Sequence, residues 1–595
     1  MKQQQVSSWC EKEASFISHD GMNLFYRAWQ PSNINDGDVT PRAIIFLHRG
    51  HEHSGRIRRL LSELCRPEDY AFAYDARGHG HSPGERGDAT SFTCLVADLD
   101  AFVHYICRQY DFAIGDVLVV ANSIGAVVAA TWLHDYAPRV RGVIMAAAAF
   151  NIKLYIPLAK PALRLLRCFK KDIFVDSYIR PSMLTHSREQ VHSYEADPLI
   201  TKSISAKILL ELADTAQRIL YNAAAIDTPV LMLVADKDYV VSESPQFHFF
   251  KQLSSPLKRY VKLPKYRHAV FYEKDISSAV SESRRFIEGC FKAPLLSPES
   301  YMTADKKSAS AVLYQALQQN EKKHLLGQRW FALLRYLLVR FGPLSQGMQI
   351  GLTHGFDSGE SLDYVYRNQA NGRFGIGKLI DRLYLDAVGW HGIRVRKHQL
   401  QQLLAEQLIL RDKPLRILDI AAGSGRYLLE TIKRYQHKPI SVTLCDASPF
   451  NLQRAKALAE QLGLNANISY LQRDAFDPAS YQGEESQYDI VIVSGLYELF
   501  SDNDMVLRSL RGVCASLKPD GVLLYTAQPW HPQLNTIAHT LTNHLGKAWR
   551  MRPRPQAEMD ALVNLAGCRK VATLIGLDGI FTVSTAHKLA PDVTD

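Results

Sequence analysis

The chain has 595 residues, 47% hydrophobic and 22% charged, with a formal net charge of +10 and a pI of about 9.0, a composition ordinary for globular protein. At roughly 100–200 residues per domain this length predicts two to four domains. Its nine cysteines fall singly with no C-x-x-C pair, which excludes a metal knuckle and a disulfide framework, and no run of 18 apolar residues or apolar leader occurs, so a cytoplasmic protein without a transmembrane helix is expected.

From about residue 15 to 290, short apolar runs alternate with helical patterns: AIIFLH (43–48), AFAYD (71–75), VLVVAN (117–122), GVIMAAA (142–148), VLMLVAD (230–236) and RYVKLP (259–264). Continuous rather than alternating hydrophobicity predicts strands buried on both faces of a mostly parallel sheet. Residues 150–222 interrupt this rhythm with helical, basic sequence and read as an inserted cap. The stretch 291–310, rich in Pro, Ser and charge, reads as a linker, and 311–410 as mainly helical. A second strand–helix series runs through RILDI (416–420), SVTLCD (441–446), ISYLQRD (468–474), YDIVIVSG (488–495) and GVLLYTA (521–527). Two late strands, about 570–575 and 580–585, flank an Asp-Gly hairpin signal.

Within the first series, VLVVANSIGAVVAATW sets Ser123 between an apolar strand and a helix, as Ala121-x-Ser123-x-Gly125. Small residues on both sides suit the sharp turn that exposes a nucleophile. Hydrolysis also needs an acid and a base, in the order Ser, Asp, His. Asp238 follows one strand in DKDYVV, with Asp236 as its competitor, and His268 follows the next in LPKYRHAVFYEKD. Alone, each reads as a loop carboxylate or a surface histidine; together, in that order, they read as a catalytic set. An oxyanion hole needs converging N–H groups. Ile124 and Gly50 are the candidates.

HRGHEHSGR (48–56), YDARGHGHSPGERG (74–87), the elbow and H-x-x-x-x-E (268–273) resemble the monoacylglycerol lipase and lysophospholipase family of α/β-hydrolases, over about residues 15–290. The resemblance implies a serine esterase acting on single-chain glycerolipids. The family usually has Gly where this chain has Arg49. That side chain either recognises the phosphate of a lysophospholipid or pairs with a carboxylate such as Glu52 or Asp75.

In the second series LRILDIAAGSGRYLLE reads strand, glycine loop, helix, with Asp419, Ala421, Gly423 and Gly425 as D-x-A-x-G-x-G. Small residues let backbone approach a ligand at a helix N-terminus. Asp446 ends the next strand, placed for two ribose hydroxyls, and Asp474 follows the third, placed for an adenine amine. A dinucleotide is the alternative ligand. Residues 411–595 resemble the class-I methyltransferases, which implies S-adenosylmethionine as the cofactor held by this loop and Asp446. The resemblance implies no acceptor. GLYELF (495–500) stands where N/D-P-P-Y would, so nucleic-acid or glutamine amino methylation is not expected. Tyr497, Glu498 and His531 are candidates for assisting methyl transfer, with structural roles as the alternative. The segment 355–397, dense in Gly, aromatics and charge, suits a lid over the cofactor.

The positive charge lacks helix-turn-helix, zinc-finger or RNP spacing, so nucleic acid is not expected as a partner. Residues 151–171 mix Leu, Ile and Phe with Lys153, Lys160, Arg164, Arg167, Lys170 and Lys171, and 324–342 repeats the theme with Arg329, Arg335 and Arg340. Such stretches are either membrane-surface helices or packed helices with a basic edge. The expected fold class is α/β in two domains, an α/β-hydrolase with a helical cap followed by a Rossmann-like class-I methyltransferase fold. The expected boundaries are 15–295 with the cap at about 150–222, a linker and helical lid at 296–410, and 411–595. The layout is similar to fused hydrolase–methyltransferase chains. That layout carries no assigned role; the hydrolase resemblance leads to the expectation of a bifunctional enzyme of lipid metabolism, and the basic stretches to that of peripheral contact with anionic membrane. The alternatives are a tailoring enzyme for a small non-lipid ester, or a chain in which one half only binds. No motif speaks to a metal ion or to oligomeric state.

Overall fold

In the computed structural model the described residues are 8–32, 41–156, 158–170, 172–177, 179–319, 325–464 and 467–589. The chain divides into two units, Met1–Leu295 and Leu296–Asp595. The described residues of the first unit form ten strands: β1 (Trp9–Ile17), β2 (Asn23–Pro31), β3 (Ala43–Leu47), β4 (Tyr70–Tyr74), β5 (Val117–Asn122), β6 (Gly142–Ala146), β7 (Phe174–Asp176), β8 (Ser203–Ser205), β9 (Val230–Ala235) and β10 (Lys258–Leu263). Eight of them form one sheet in the order β1-β2-β4-β3-β5-β6-β9-β10, parallel from β4 to β10. Every residue of β3, β5, β6 and β9 is buried, the outcome that unbroken apolar runs demand.

The sheet starts at Trp9, ahead of the expected boundary at 15. β1 is an antiparallel edge strand whose sequence, WCEKEASFI, carries three consecutive charges and is mostly solvated, so no apolar run marks it. Between β6 and β9 the chain leaves the sheet for a cap of helices (Ala159–Phe169, Pro181–Leu184, Arg188–Glu195 and Ala206–Tyr221) with the two-stranded antiparallel ribbon β7-β8.

In the second unit β11 (Leu415–Ile420), β12 (Ile440–Asp446), β13 (Asn467–Gln472), β14 (Tyr488–Val493), β15 (Leu517–Ala527), β16 (Cys568–Ile575) and β17 (Thr582–Lys588) form a sheet in the order β13-β12-β11-β14-β15-β17-β16. The first five strands are parallel, and β17 inserts antiparallel between β15 and β16. Strand order reverses between β11 and β14, the place where ligands enter open α/β sheets. This is the Rossmann-like arrangement with its antiparallel end strands.

From Leu296 onward the stretch expected as a linker is built into the second unit. A turn at Pro298–Tyr301 and helices Ala304–Lys307 and Ala309–Gln318 occupy it, and Asn503 donates to Asp305 Oδ2 and to the Tyr301 carbonyl, both at 3.1 Å. Its Ser and Pro serve helix starts: Ser308 accepts the Ala311 N–H, and Pro298 opens its turn. The helices that follow are not a detached layer either. Phe356, Tyr364, Tyr384, Trp390 and Ile393 share one apolar cluster with Ile580 and Phe581 beside β17, so a boundary at 411 would cut through a core.

Candidate functional site

Ser123 lies at the carboxyl end of β5, in a turn with φ 54° and ψ −113° that only close packing can hold. Gly125 makes that packing possible, because a Cβ there would lie 2.9 Å from the His48 carbonyl oxygen. Asp238 and His268 follow β9 and β10, neighbours in the sheet, so three strand ends deliver three side chains to one edge. His268 Nε2 stands 2.9 Å from Ser123 Oγ, and its Nδ1 stands 2.9 Å from Asp238 Oδ2. The other oxygen of Asp238 accepts the N–H groups of Val240 and Val241, at 2.7 and 2.9 Å. Burial works against the Asp238 charge, yet the imidazole and these N–H groups hold its carboxyl below the usual range. Asp236 is turned instead to Lys262, 3.2 Å away.

Ile124 opens the helix Ile124–Asp135, so its N–H has no acceptor one turn back. Gly50 packs against it, since a Cβ on Gly50 would meet Ile124 Cδ1 at 2.7 Å. Both border one cavity of about 300 Å³ together with Ser123 and His268, and the cap supplies apolar walls from Leu163, Ile179, Leu184 and Ile204. A backbone N–H pair, a serine bonded to a buried histidine and an apolar trough can support acyl transfer.

Arg49, also at this cavity, is buried and paired with Glu52, Nε to Oε2 at 2.9 Å and Nη2 to Oε1 at 2.5 Å. Asp75 is taken elsewhere, by the N–H groups of Ser54 and His81. Glu273, which closes the H-x-x-x-x-E phrase, accepts the N–H groups of Arg267 and His186. It ties the His268 loop to the cap, a role hidden by the separation of 87 positions between Glu273 and His186. His19, Asp20 and Asp98 gather in the same unit, but Arg77 binds both carboxylates.

In the second unit the loops after β11, β12, β13 and β14 surround a cavity of about 440 Å³. Ala421 (φ 55°), Gly423 (φ 58°) and Gly425 (φ 61°) fold the loop after β11. Ala421 and Gly423 border the cavity, and around a Cβ on Gly423 nothing stands within 4 Å, so a ligand can approach the bare backbone. Gly425 lies beneath, where a Cβ would press on Leu444 at 3.3 Å. Asp446 Oδ2 accepts the Gly423 N–H at 2.9 Å, and Oδ1 accepts Ser448 N–H and Asn451 Nδ2, at 2.9 and 3.0 Å. Asp474 also borders the cavity.

Asp419 does not border it. It is fully buried behind the loop, with both carboxylate oxygens on the Tyr427 hydroxyl. Sequence reasoning did not single out Asp363, in the helix Gly359–Arg367. It receives Ser424 Oγ at 3.0 Å and Arg426 Nε at 2.6 Å, and so fixes the 355–397 segment to the glycine loop. Bare backbone at a helix N-terminus, with carboxylates after the second and third strands, suits a nucleoside-bearing ligand. Of the candidates after β14, Tyr497 turns its hydroxyl to Ser509 in the core, whereas Glu498 and His531 border a separate cavity.

Residues 283–588 match the family model described as "Putative methyltransferase", and residues 40–275 match the one described as "Serine aminopeptidase, S33". The chain is 40% identical over 581 residues to "Uncharacterized protein YnbC" of Escherichia coli (strain K12), covering 96% of this chain and 98% of that protein. It is 28% identical over 226 residues to a monoglyceride lipase of Rattus norvegicus, covering 37% of this chain and 72% of that one. Phospholipase YtpA of Bacillus subtilis (strain 168) is 24% identical over 249 residues, 41% of this chain and 94% of its own.

Proposed function

Since the chain belongs to the methyltransferase family whose model covers residues 283–588, and carries a lipase-like α/β-hydrolase unit ahead of it, we propose that it is a bifunctional enzyme of lipid metabolism. One half is a serine hydrolase of single-chain glycerolipid esters, and the other an S-adenosylmethionine-dependent methyltransferase. The observation that carries the hydrolase reading is His268, held at 2.9 Å from Ser123 on one side and from Asp238 on the other.

Ser123 Oγ attacks the ester carbonyl as His268 Nε2 takes its proton. The N–H groups of Gly50 and Ile124 receive the developing oxyanion. Collapse breaks the ester C–O bond, and His268 returns the proton to the leaving alcohol. Water then releases the acid by the same route, with Asp238 orienting the imidazole throughout. The apolar trough takes the acyl chain.

In the second half S-adenosylmethionine, when bound, supplies an electrophilic methyl group. Asp446 would hold the ribose hydroxyls, Asp474 the adenine amine, and the backbone at Ala421 and Gly423 the rest of the ligand. The free state of all nine thiols is in keeping with a reducing cytoplasm, and the basic residues of the cap support a peripheral position at the inner face of the membrane. No helix among the described residues is long and apolar enough to cross one. Chain-length profiling of p-nitrophenyl esters tests the lipid reading. At about 0.8 kcal/mol per buried methylene, the specificity constant should rise roughly fourfold per added carbon until the trough is full. A preference for acetate or for polar acyl groups would overturn it.

A further inference from the structure

A cavity of about 210 Å³ adjoins the cofactor cavity in the second unit, and the two share Asp357, Leu362, Gly495 and Leu499. Its walls are aromatic, with Tyr384, Trp390, Trp549 and Phe581. Its polar edge lies at the shared wall. A Cβ on Gly495 would meet Arg396 Nη2 at 2.9 Å, so the guanidinium stands against that residue. Gly495 N–H donates to Thr526 Oγ1 at 2.9 Å, and Thr526 Oγ1 donates to Glu498 Oε1 at 2.6 Å. Arg396 Nη1 is 3.7 Å from that same oxygen.

Thr526 thus engages one oxygen of Glu498, and Arg396 stands beside that same oxygen. Glu498 is 6% exposed and Arg396 3%. Glu498 Oε2 and Arg396 Nε are both buried and have no hydrogen-bond partner among the described residues. Leaving a buried acceptor and a buried donor unmet is costly, and the two side chains that carry them line one cavity. The group that satisfies both donates to a carboxylate and accepts from a guanidinium N–H. A hydroxyl does this. A carboxylate ligand would face Glu498, and an ammonium ligand would face Arg396. His531, across the cavity, uses Nδ1 to accept the Gln533 N–H at 3.0 Å. A neutral ring then presents Nε2–H, so this histidine can orient a ligand but not deprotonate it.

We propose that this cavity is the methyl-acceptor site and that it takes an apolar molecule bearing a hydroxyl, which Glu498 and Arg396 receive. The inference rests on the methyltransferase reading above. In the step it implies, the hydroxyl oxygen bonds to the methyl carbon while the carbon–sulfur bond breaks. The electron pair of that bond stays on sulfur, and the hydroxyl proton passes to Glu498 Oε2. The shared chemistry covers a phenol, which the aromatic walls suit, and a chain alcohol.

Calorimetry on the full chain, without cofactor, tests it with 2-naphthol and 1-octanol, each against its methyl ether. At least one hydroxyl compound should bind roughly ten- to a hundredfold more tightly than its ether. Which one does so separates phenol from alcohol. Glu498→Gln should erase most of that preference. Thr536→Trp, which fills the cavity from a half-buried wall, should weaken every probe, and thermal melts check that both variants fold. Equal affinity for hydroxyl and ether, or unaltered binding in Thr536→Trp, overturns the proposal. S-adenosylhomocysteine is titrated into the same samples. If it does not bind, the methyltransferase reading fails and the inference fails with it. If it binds and no hydroxyl preference exists, only the acceptor site is wrong.

Discussion

Tyr427 donates its hydroxyl to both carboxylate oxygens of Asp419, at 2.6 and 2.7 Å, beneath the loop that borders the larger cavity of the second unit. Burial pushes the Asp419 carboxyl up to about 8, against the Tyr427 bond and helped by the nearby Asp446 charge. An unfolded Asp titrates near 3.9. Between those values the folded chain keeps a proton that the unfolded chain has released. Stability from this group is therefore full below about pH 4 and is lost as pH rises toward about 8, by up to about 1.4 kcal/mol per pH unit. Melting of the second unit should fall over that range, and Asp419→Asn should flatten the fall. Parallel curves for parent and variant would show that Asp419 is ionised in the fold.

Chain order accounts for much of the first site. Ser123, Asp238 and His268 each follow an apolar strand, and parallel strands deliver their carboxyl ends to one edge, so convergence is legible once the strands are. What lay beyond reach depends on contacts distant in sequence or on mixed-polarity segments. Glu273 meets His186 across 87 residues. Arg396 meets Glu498 from the helix Val388–Ile409, which mixes polar and apolar residues with no motif around Arg396. Asp419 is not among the residues that border the cavity of the second unit; it is buried on the Tyr427 hydroxyl, a contact that the motif does not show.

Ser123→Ala should abolish ester hydrolysis, by on the order of 10⁴-fold or more, because nucleophile, base and acid act as a unit. Titration with S-adenosylhomocysteine should be unchanged, since the two cavities belong to separate units. Hydrolysis persisting in the purified variant would remove Ser123 from the mechanism.

The cap helix Ala159–Phe169 has no buried residue, and Leu165, Leu166 and Phe169 are 63%, 52% and 84% exposed. Lys160, Arg167 and Lys170 accompany them, Arg164 pairs with Asp214, and Lys171 lies outside the described residues. Basic residues at an anionic surface contribute about 1 kcal/mol each. Cosedimentation should be strong with phosphatidylglycerol vesicles and weak with phosphatidylcholine, and should fall at least tenfold in Leu165→Glu/Phe169→Glu. Indifference to both vesicle charge and substitution would leave the helix as a wall of the trough only.

Asp446 offers two oxygens at the end of β12, and the Gly423, Ser448 and Asn451 bonds fix their orientation. Asp446→Asn keeps the shape but removes the charge and half of the acceptor capacity. Affinity for S-adenosylhomocysteine should drop by about 1–3 kcal/mol, roughly ten- to a hundredfold. Unchanged affinity would mean that the ribose is held by another loop.

Arg49 is paired with Glu52, and that pairing decides what its loss should do. Burial alone would raise the Glu52 carboxyl, but Arg49 first and Arg56 after it hold it below the usual range. Arg56 Nε reaches the same Glu52 oxygen at 3.1 Å, so removing Arg49 leaves a buried carboxylate with a single cation. Breaking a buried pair from one side costs about 3–5 kcal/mol, and Arg56 should keep the loss near the low end. Arg49→Gly should therefore lower the melting temperature of the first unit. The adjoining Gly50 N–H belongs to the proposed oxyanion hole, so hydrolysis should slow as well. That slowing should be equal for a lysophospholipid and a monoacylglycerol of the same chain length, because the guanidinium is engaged with Glu52 rather than with substrate. The double variant Arg49→Gly/Glu52→Gln, which removes the stranded charge, should recover most of the stability. A selective loss on the lysophospholipid, roughly tenfold or more beyond that on the neutral ester, would instead assign Arg49 to the phosphate.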